Sequence, residues 1–485
     1  MILAASRERR LRRRNERFAG KLGLRMQPPT AGQDAARRSE SIPLWPVAVA
    51  VAVRLAIWTL VPSSRLASDE DGYVPAGLAL LASGTQDLFW PPVTGWIVAG
   101  VAWAVGEIRW IRLAWIAMDI GCVVAIRTLA KRFAPRVTGT DPARASRFVT
   151  LATLAYALYL PAISFSQFAT SEIPALLQTL LIIVLVTHPR PAYSRSIAAG
   201  LVAGTLILTR PSLLPVVVCI PAALALRWPR GVWLRHTALM LGLAATVVVG
   251  LVVRNWRQTG ELTIAENSAY NLYIGNRELY AEDLNLFSPR ATAEQIEFRR
   301  QYFSGTLPPP AGRPADLQRE ALAAIAARPG LFLRRAIGRL ARVFVPKTDV
   351  LELVGGEQRA GIFAPASLGV LAIANLQWTA VLFGGLTGLA WWWRTDRSIA
   401  AVLSSVVIGS LPLCLIAVSK PRYAFPFEPI LILCAIGVAL APPPRFDRLR
   451  RRDRWMVGIA ATFILWGWAA WLIFAVTSRL ALASA

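Results

Sequence analysis

The sequence predicts an all-α, polytopic membrane protein of about eleven transmembrane helices, with further helices lying at the membrane surface in two outer loops. Three observations predict it. Hydrophobic residues make up 55% of the 485 residues and charged residues only 17%, where a soluble chain carries about 25% charged residues. Mean hydropathy is +0.47. The apolar residues also gather in runs close to the roughly 20 residues needed to cross about 30 Å of hydrocarbon. The net charge of +25 has two readings, a nucleic-acid surface or basic cytoplasmic loops. Position decides for the second, because the arginines sit at the ends of apolar runs.

Residues 1–42 form a polar arm in which Arg7, Arg9, Arg10, Arg12, Arg13, Arg14 and Arg17 cluster. Such a run reads as a cytoplasmic arm drawn to anionic lipid. A cleaved signal peptide is not expected, since the next apolar run is long and no small-residue cleavage site ends it. The expected spans are 43–62, 111–130, 148–163, 173–187, 197–209, 212–226, 236–253, 365–393, 399–418, 423–441 and 455–477. With the N-terminus inside, every inner loop is basic. Lys131, Arg132 and Arg136 fall in the first of these loops, Arg227 and Arg230 in a later one, and Arg445 to Arg454 in the last. Residues 91–107 are apolar enough to cross, but a crossing there would invert every later loop. They are read as a helix in the outer interface, begun by Pro91 and Pro92. The organisation expected is therefore an arm (1–42), an N-terminal transmembrane module (43–253) with its first outer loop at 63–110, a large outer loop (254–364) and C-terminal spans (365–485). Within the large loop, 316–345 has helical periodicity with basic residues on one side, as a surface-lying amphipathic helix does.

The residues suited to chemistry fall in the outer loops. Asp69, Glu70 and Asp71 stand in succession after the first span, followed by Tyr73. A solvated turn is the bland reading; a general base or a metal pair, Asp69 with Asp71, is the functional one. Glu172 opens a span, where a carboxylate also suits a helix N-terminus. Arg210, Arg254 with Asn255, and Lys420 with Arg422 and Tyr423 mark outer span ends. Each could simply snorkel to the interface. Together they suit phosphate oxygens, which guanidinium groups grip bidentately. Arg54 and Asp119 lie within spans, where ionisable residues are costly without a partner; a structural pair between them is one reading. The four cysteines sit in apolar runs and show no metal spacing.

In order along the chain, these residues resemble the GT-C superfamily of polytopic glycosyltransferases, nearest to the protein-mannosyltransferase-like and aminoarabinose-transferase-like enzymes that use polyprenyl-phosphate sugars. The resemblance runs from about residue 43 to 441. It is carried by Asp69-Glu70-x-x-Tyr73 with Pro91-Pro92, Ser171-Glu172, Leu208-Thr209-Arg210-Pro211, Arg254-Asn255 through Asn271-Leu272-Tyr273-Ile274-Gly275-Asn276, Arg319-Glu320-Ala321 through Pro329, and Lys420-Pro421-Arg422-Tyr423 with Pro426 and Pro429. No one motif is specific alone; their order is.

The chain departs from the aminoarabinose transferases in carrying Arg210-Pro211 where they have Lys-Gly, so that substrate is not assigned. The resemblance implies inverting transfer of a sugar from a polyprenyl-phosphate donor to a lipid, glycan or protein acceptor at the outer face of a bacterial-type inner membrane. It implies Asp69 as general base, with Glu70 and Glu172 catalytic. Arg210, Arg254, Lys420, Arg422 and Tyr423 would hold the donor phosphate, and Tyr73, Asn255 and Asn276 would line the pocket. No obligatory cofactor is implied, although some members hold a divalent metal at the first-loop acids. Membrane lipids are expected partners and nucleic acid is not. The rival readings are a polymerase or ligase of O-antigen type, a lipid or sugar transporter, and a non-enzymatic scaffold. A transporter should show internal repeats and mid-span charges, whereas these charges lie in outer loops.

Overall fold

The computed structural model describes residues 43–61, 66, 69–276, 313–354, 365–441 and 458–469. The chain divides into Met1–Pro43 and Leu44–Ala485, and every element below lies in the second unit. The basic arm falls outside the described residues, as does the stretch 277–312 of the large outer loop.

All regular structure among the described residues is helical. The helices are α1 (Trp45–Leu60), α2 (Glu70–Ser83), α3 (Pro92–Val105), α4 (Ile108–Thr138), α5 (Pro142–Ala157), α6 (Leu160–Ser166), α7 (Glu172–Val186), α8 (Tyr193–Thr209), α9 (Leu214–Leu224), α10 (Arg230–Thr259), α11 (Asn267–Asn276), α12 (Pro314–Ala327), α13 (Pro329–Val343), α14 (Pro365–Thr395), α15 (Arg397–Gly409), α16 (Pro412–Ile416) and α17 (Glu428–Leu440), then α18 (Gly458–Ala469). Short 3₁₀ segments stand at Pro211–Leu213, Asp349–Val354 and Pro421–Phe427.

Five stretches are long and apolar enough to cross a membrane: α4, α10, α14, Arg397–Ile416 and Pro421–Leu440. A sixth follows if α5 and α6, bent by 54°, count as one span. Among the described residues a count of eleven is not confirmed. α7, with 15 residues, is about 22 Å long at 1.5 Å per residue, short of the hydrocarbon thickness. Proline accounts for several of the breaks, because it removes a helical N–H and clashes with the preceding turn. Pro211 separates α8 from α9, and Pro421 and Pro426 hold a 3₁₀ turn before α17. Of the expected last span, only 458–469 is described. Residues 92–105 form a 14-residue helix, too short to cross, packed against α2, α4 and α8.

Close backbone approach organises the bundle. α14 lies along α17, and a Cβ at Gly388 would stand 2.1 Å from the carbonyl oxygen of Cys434. α8 lies along α10, with Gly200 and Gly204 facing Met240 and Val247. Inside the bundle, Arg54 of α1 donates its Nε to Asp119 of α4, whose other oxygen accepts from the Tyr156 hydroxyl at 2.6 Å. Arg54 Nη1 reaches the Ala157 carbonyl at 2.8 Å. The two ionisable residues placed within spans are thus partners, both fully buried.

α4 fixes the polarity of the molecule. Its 31 residues run about 46 Å. Near its start, Arg112 bonds Glu70 of α2. Near its end, Arg136 pairs with Asp396 at 2.7 Å and Arg132 bonds the Thr187 hydroxyl at 2.8 Å. The described basic loops therefore meet at one end of α4, and the first-loop acids lie at the other.

Candidate active site

The site is built from the breaks between helices. Asp69 stands at the N-cap of α2 yet makes no side-chain capping bond. Its carboxylate turns instead to Arg422, whose Nη2 donates to Oδ2 at 2.6 Å. Glu172 occupies the first turn of α7, where the helix dipole favours its charge. Its Oε1 lies 2.9 Å from Arg210 Nη1 and 3.6 Å from Arg422 Nε. Arg210 is the residue at which α8 stops before Pro211, with an extended backbone, and its guanidinium lies 5.2 Å from the Tyr423 ring centre. Two carboxylates and two guanidinium groups from four separate loops thus meet, and only Asp69 keeps appreciable exposure, at 26% of its side chain.

The first-loop acids have different surroundings. Burial pushes Asp69 up, but the charges of Arg422 and Lys420 outweigh it and hold the carboxyl below its ordinary range. Asp71 is pushed upward, first by burial and then by the neighbouring Asp69 charge. Glu70 is fully buried and forms a fork with Arg112, Nε to Oε1 at 3.0 Å and Nη2 to Oε2 at 2.7 Å. The Ala169 amide donates to the same Oε1 at 2.8 Å. Glu70 therefore ties α2 to α4 and to the turn before α7. The Trp115 indole, donating to Thr170 O at 2.7 Å, fixes that turn a second time.

Tyr73, one turn into α2, is buried, packs against Trp90 at 4.7 Å between ring centres and hydrogen-bonds Ser171. Burial and the nearby Asp69 charge push its phenol up. Gly72 is required beside it, since a Cβ there would lie 2.1 Å from the Trp90 ring.

Not every residue singled out from the sequence joins this cluster. Arg254 donates to the Gln86 side chain. Asn255 donates to Thr263 O at 2.9 Å and closes its own helix terminus. Asn276 donates to Ile416 O at 2.8 Å and accepts from Arg339 at 3.3 Å. Arg254 thus ties α10 to the first outer loop, Asn255 closes the end of α10, and Asn276 holds α11 against α16. Among the described residues no group of three His, Cys, Asp or Glu is placed to hold a metal ion. The Asp69 carboxylate is occupied by a guanidinium instead. This donor set does not fit the divalent ion that some members of the resembled superfamily hold.

Sequence reasoning missed three charged residues. Lys347 pairs with Glu428, donates to Pro421 O at 2.7 Å and lies 4.3 Å from the Trp378 ring centre. It pins both ends of the 3₁₀ turn that carries Arg422. Asp349 follows two residues later, and the charges of Arg422, Lys347, Lys420 and Glu172 all act on it.

No family model matches the chain, and no curated protein does. Several solved structures resemble the chain, and two of them stand for the rest. One is the archaeal oligosaccharyltransferase AglB from Archaeoglobus fulgidus, in complex with an inhibitory peptide and a dolichol-phosphate. It is 14% identical at a TM-score of 0.44 over 90% of this chain and 56% of that one. The other is ArnT from Cupriavidus metallidurans bound to undecaprenyl phosphate, 19% identical at a TM-score of 0.38 over 82% of this chain and 78% of that one. The chain spans little more than half the length of the AglB chains it resembles. At these TM-scores the likeness does not bear on activity.

Proposed function

We propose that this chain is a membrane glycosyltransferase. It moves a sugar from a polyprenyl-phosphate donor to a hydroxyl or amine acceptor, at the membrane face opposite the basic loops. One observation carries the reading: Asp69 and Glu172 converge with Arg210 and Arg422 at the ends of apolar helices. A lipid-linked sugar phosphate presents its reacting carbon at that depth. Its phosphate needs cations, and its attacking partner needs a base.

In this reaction the acceptor oxygen or nitrogen forms a bond to the anomeric carbon while the bond from that carbon to the phosphate oxygen breaks. Attack opposite the leaving group inverts the centre. Asp69 takes the acceptor proton, and the electron pair leaves on the polyprenyl phosphate. Arg210 and Arg422 stabilise the phosphate as its charge develops. Arg422 has two competing anions in this mechanism, Asp69 and the phosphate. Donor binding draws the guanidinium toward phosphate and frees Asp69 as the base. Glu172 keeps Arg210 in place, Glu70 fixes the start of α2 through Arg112, and Lys420 adds charge. Arg254, Asn255 and Asn276 position the outer segments. No step is routed through a metal.

The test is binding of undecaprenyl phosphate to the protein in nanodiscs. Wild type should bind saturably, and an Arg210→Ala/Arg422→Ala variant should lose at least tenfold in affinity while staying folded. A folded wild type that binds no undecaprenyl phosphate would overturn the donor assignment and bring the transporter and scaffold readings forward.

A further inference from the structure

The cations around Asp349 are already engaged. Lys347 is taken by Glu428, by the Pro421 carbonyl and by the Trp378 face. Arg422 is taken by Asp69 and Glu172. Asp349 lies in their field and in that of Glu172. Its Oδ2 is buried and finds no hydrogen-bond partner among the described residues. The residue as a whole is only partly buried. Its backbone is set by a turn: Leu351 N donates to Thr348 O at 2.9 Å, and Val350 and Leu351, which follow it, are buried.

A buried carboxylate oxygen without a donor is costly, and native proteins keep such groups where a ligand or a reaction uses them. The missing partner must be a hydrogen-bond donor. It is not the phosphate, which offers only acceptors when ionised and would be repelled. Within the transfer reaction proposed above, O–H and N–H donors come from the acceptor and from the hydroxyls of the sugar being transferred.

We infer that Asp349 is a substrate-positioning residue, accepting a hydrogen bond at Oδ2 from a hydroxyl or amine of the acceptor or of the sugar being transferred. The division of labour follows from the charges. Arg210 and Arg422 serve the donor phosphate. Asp69 serves the reacting proton. Asp349, on the outer segment between α13 and α14, orients the hydroxyl-bearing part of the substrates.

The experiment compares wild type, Asp349→Ala and Asp349→Glu in a host strain deleted for this chain, with two readouts. One is the envelope glycolipid and glycan profile by mass spectrometry. The other is undecaprenyl phosphate binding by each purified variant in nanodiscs. The inference rests on the proposed reaction, and the two fail differently. Wild type should restore a glycan lost on deletion. Asp349→Ala should restore less than a tenth of it, accumulate the lipid-linked sugar, and bind undecaprenyl phosphate within twofold of wild type. Asp349→Glu should recover part of the product. Full restoration by Asp349→Ala would overturn the inference. So would a parallel loss of undecaprenyl phosphate binding, which would make Asp349 part of the phosphate site or of the fold. A deletion that changes no glycan, with a wild type that binds no undecaprenyl phosphate, would remove the transferase reading and this inference with it.

Discussion

Asp119 sits at 0% exposure between Arg54 and the Tyr156 hydroxyl. Removing one partner of a buried ion pair strands the other charge, at a cost of about 3–5 kcal/mol, whereas an apolar replacement of both is often tolerated. Asp119→Ala should therefore lower the unfolding temperature in detergent sharply, and Arg54→Met/Asp119→Leu should bring it back toward wild type. A double variant as unstable as the single one would show that the charges themselves are needed. Asp69 gives a prediction in pH. Its folded carboxyl lies below the ordinary 3.8, with burial raising it and Arg422 and Lys420 lowering it further. Its tie to Arg422 is therefore stabilising above the unfolded value and is lost only as pH falls through the lower, folded value. The unfolding-temperature gap between wild type and Asp69→Asn should stay level from pH 8 to pH 5 and close only below about 3.8. A gap that closes between pH 7 and pH 5 would contradict a lowered Asp69. Much at this scale was legible in the sequence. Three successive acids after a span drew attention to Asp69, and charges inside spans drew it to Arg54 and Asp119. The fork between Glu70 and Arg112 was not, because the partners are 42 residues apart and one of them lies inside an apolar run. Asp349 and Lys347 were hidden for another reason. They follow an Arg-rich amphipathic segment and read as part of a solvated loop.

At the scale of elements, hydropathy located the helices, and five or six of the described ones are long and apolar enough to cross. The expected spans 173–187 and 197–209 form shorter apolar helices, Glu172–Val186 and Tyr193–Thr209. Pro211 and the prolines of the Pro421–Phe427 turn end helices where the apolar content continues. Those breaks put Arg210 on extended backbone and Arg422 in a short 3₁₀ segment, from which each reaches neighbours in other loops. Packing between elements depends on glycines whose role the sequence does not display. In α14, Gly385 and Gly388 meet α17; a Cβ at Gly385 would lie 2.4 Å from the Leu431 Cβ. Gly369 in the same helix has nothing within 4 Å. Gly388→Ala should force the helices apart and cost about 1–3 kcal/mol. Gly369→Ala should be neutral or stabilising by up to about 1 kcal/mol, since glycine is a poor residue in a helix interior. Thermal unfolding of the two variants side by side checks this. Equal effects would mean that α14 and α17 are not in contact at Gly388.

At the scale of the whole molecule, the site joins parts of the chain that the sequence keeps far apart. Asp69 and Arg422 are separated by 353 positions, and Glu172, Arg210 and Lys347 come from three further stretches. A resemblance spread over the chain was readable for that reason: its motifs are the loops that the fold gathers. Their mutual geometry was not readable, and the sequence grouped Arg254 with Arg210 and Arg422 although Gln86 holds it. The convergence also predicts how substitutions combine. Arg422→Gln leaves Asp69 facing no guanidinium and removes one of the two cations beside Glu172. Asp69→Asn leaves Arg422 to Glu172. The double variant Asp69→Asn/Arg422→Gln removes one charge of each sign, and Arg210 still neutralises Glu172 at 2.9 Å. Contacting residues couple by about 0.5–3 kcal/mol. The double variant should therefore be more stable than the sum of the two single losses, with an unfolding temperature above that of Arg422→Gln alone. Undecaprenyl phosphate binding should not recover with it, because stability needs the charges balanced whereas the donor needs the guanidinium itself. A double variant that recovers both would make Arg422 a structural counter-ion, and would leave Arg210 as the cation that meets the phosphate. Strictly additive losses in stability would mean that the contact between Asp69 and Arg422 contributes little to holding the two ends of the chain together.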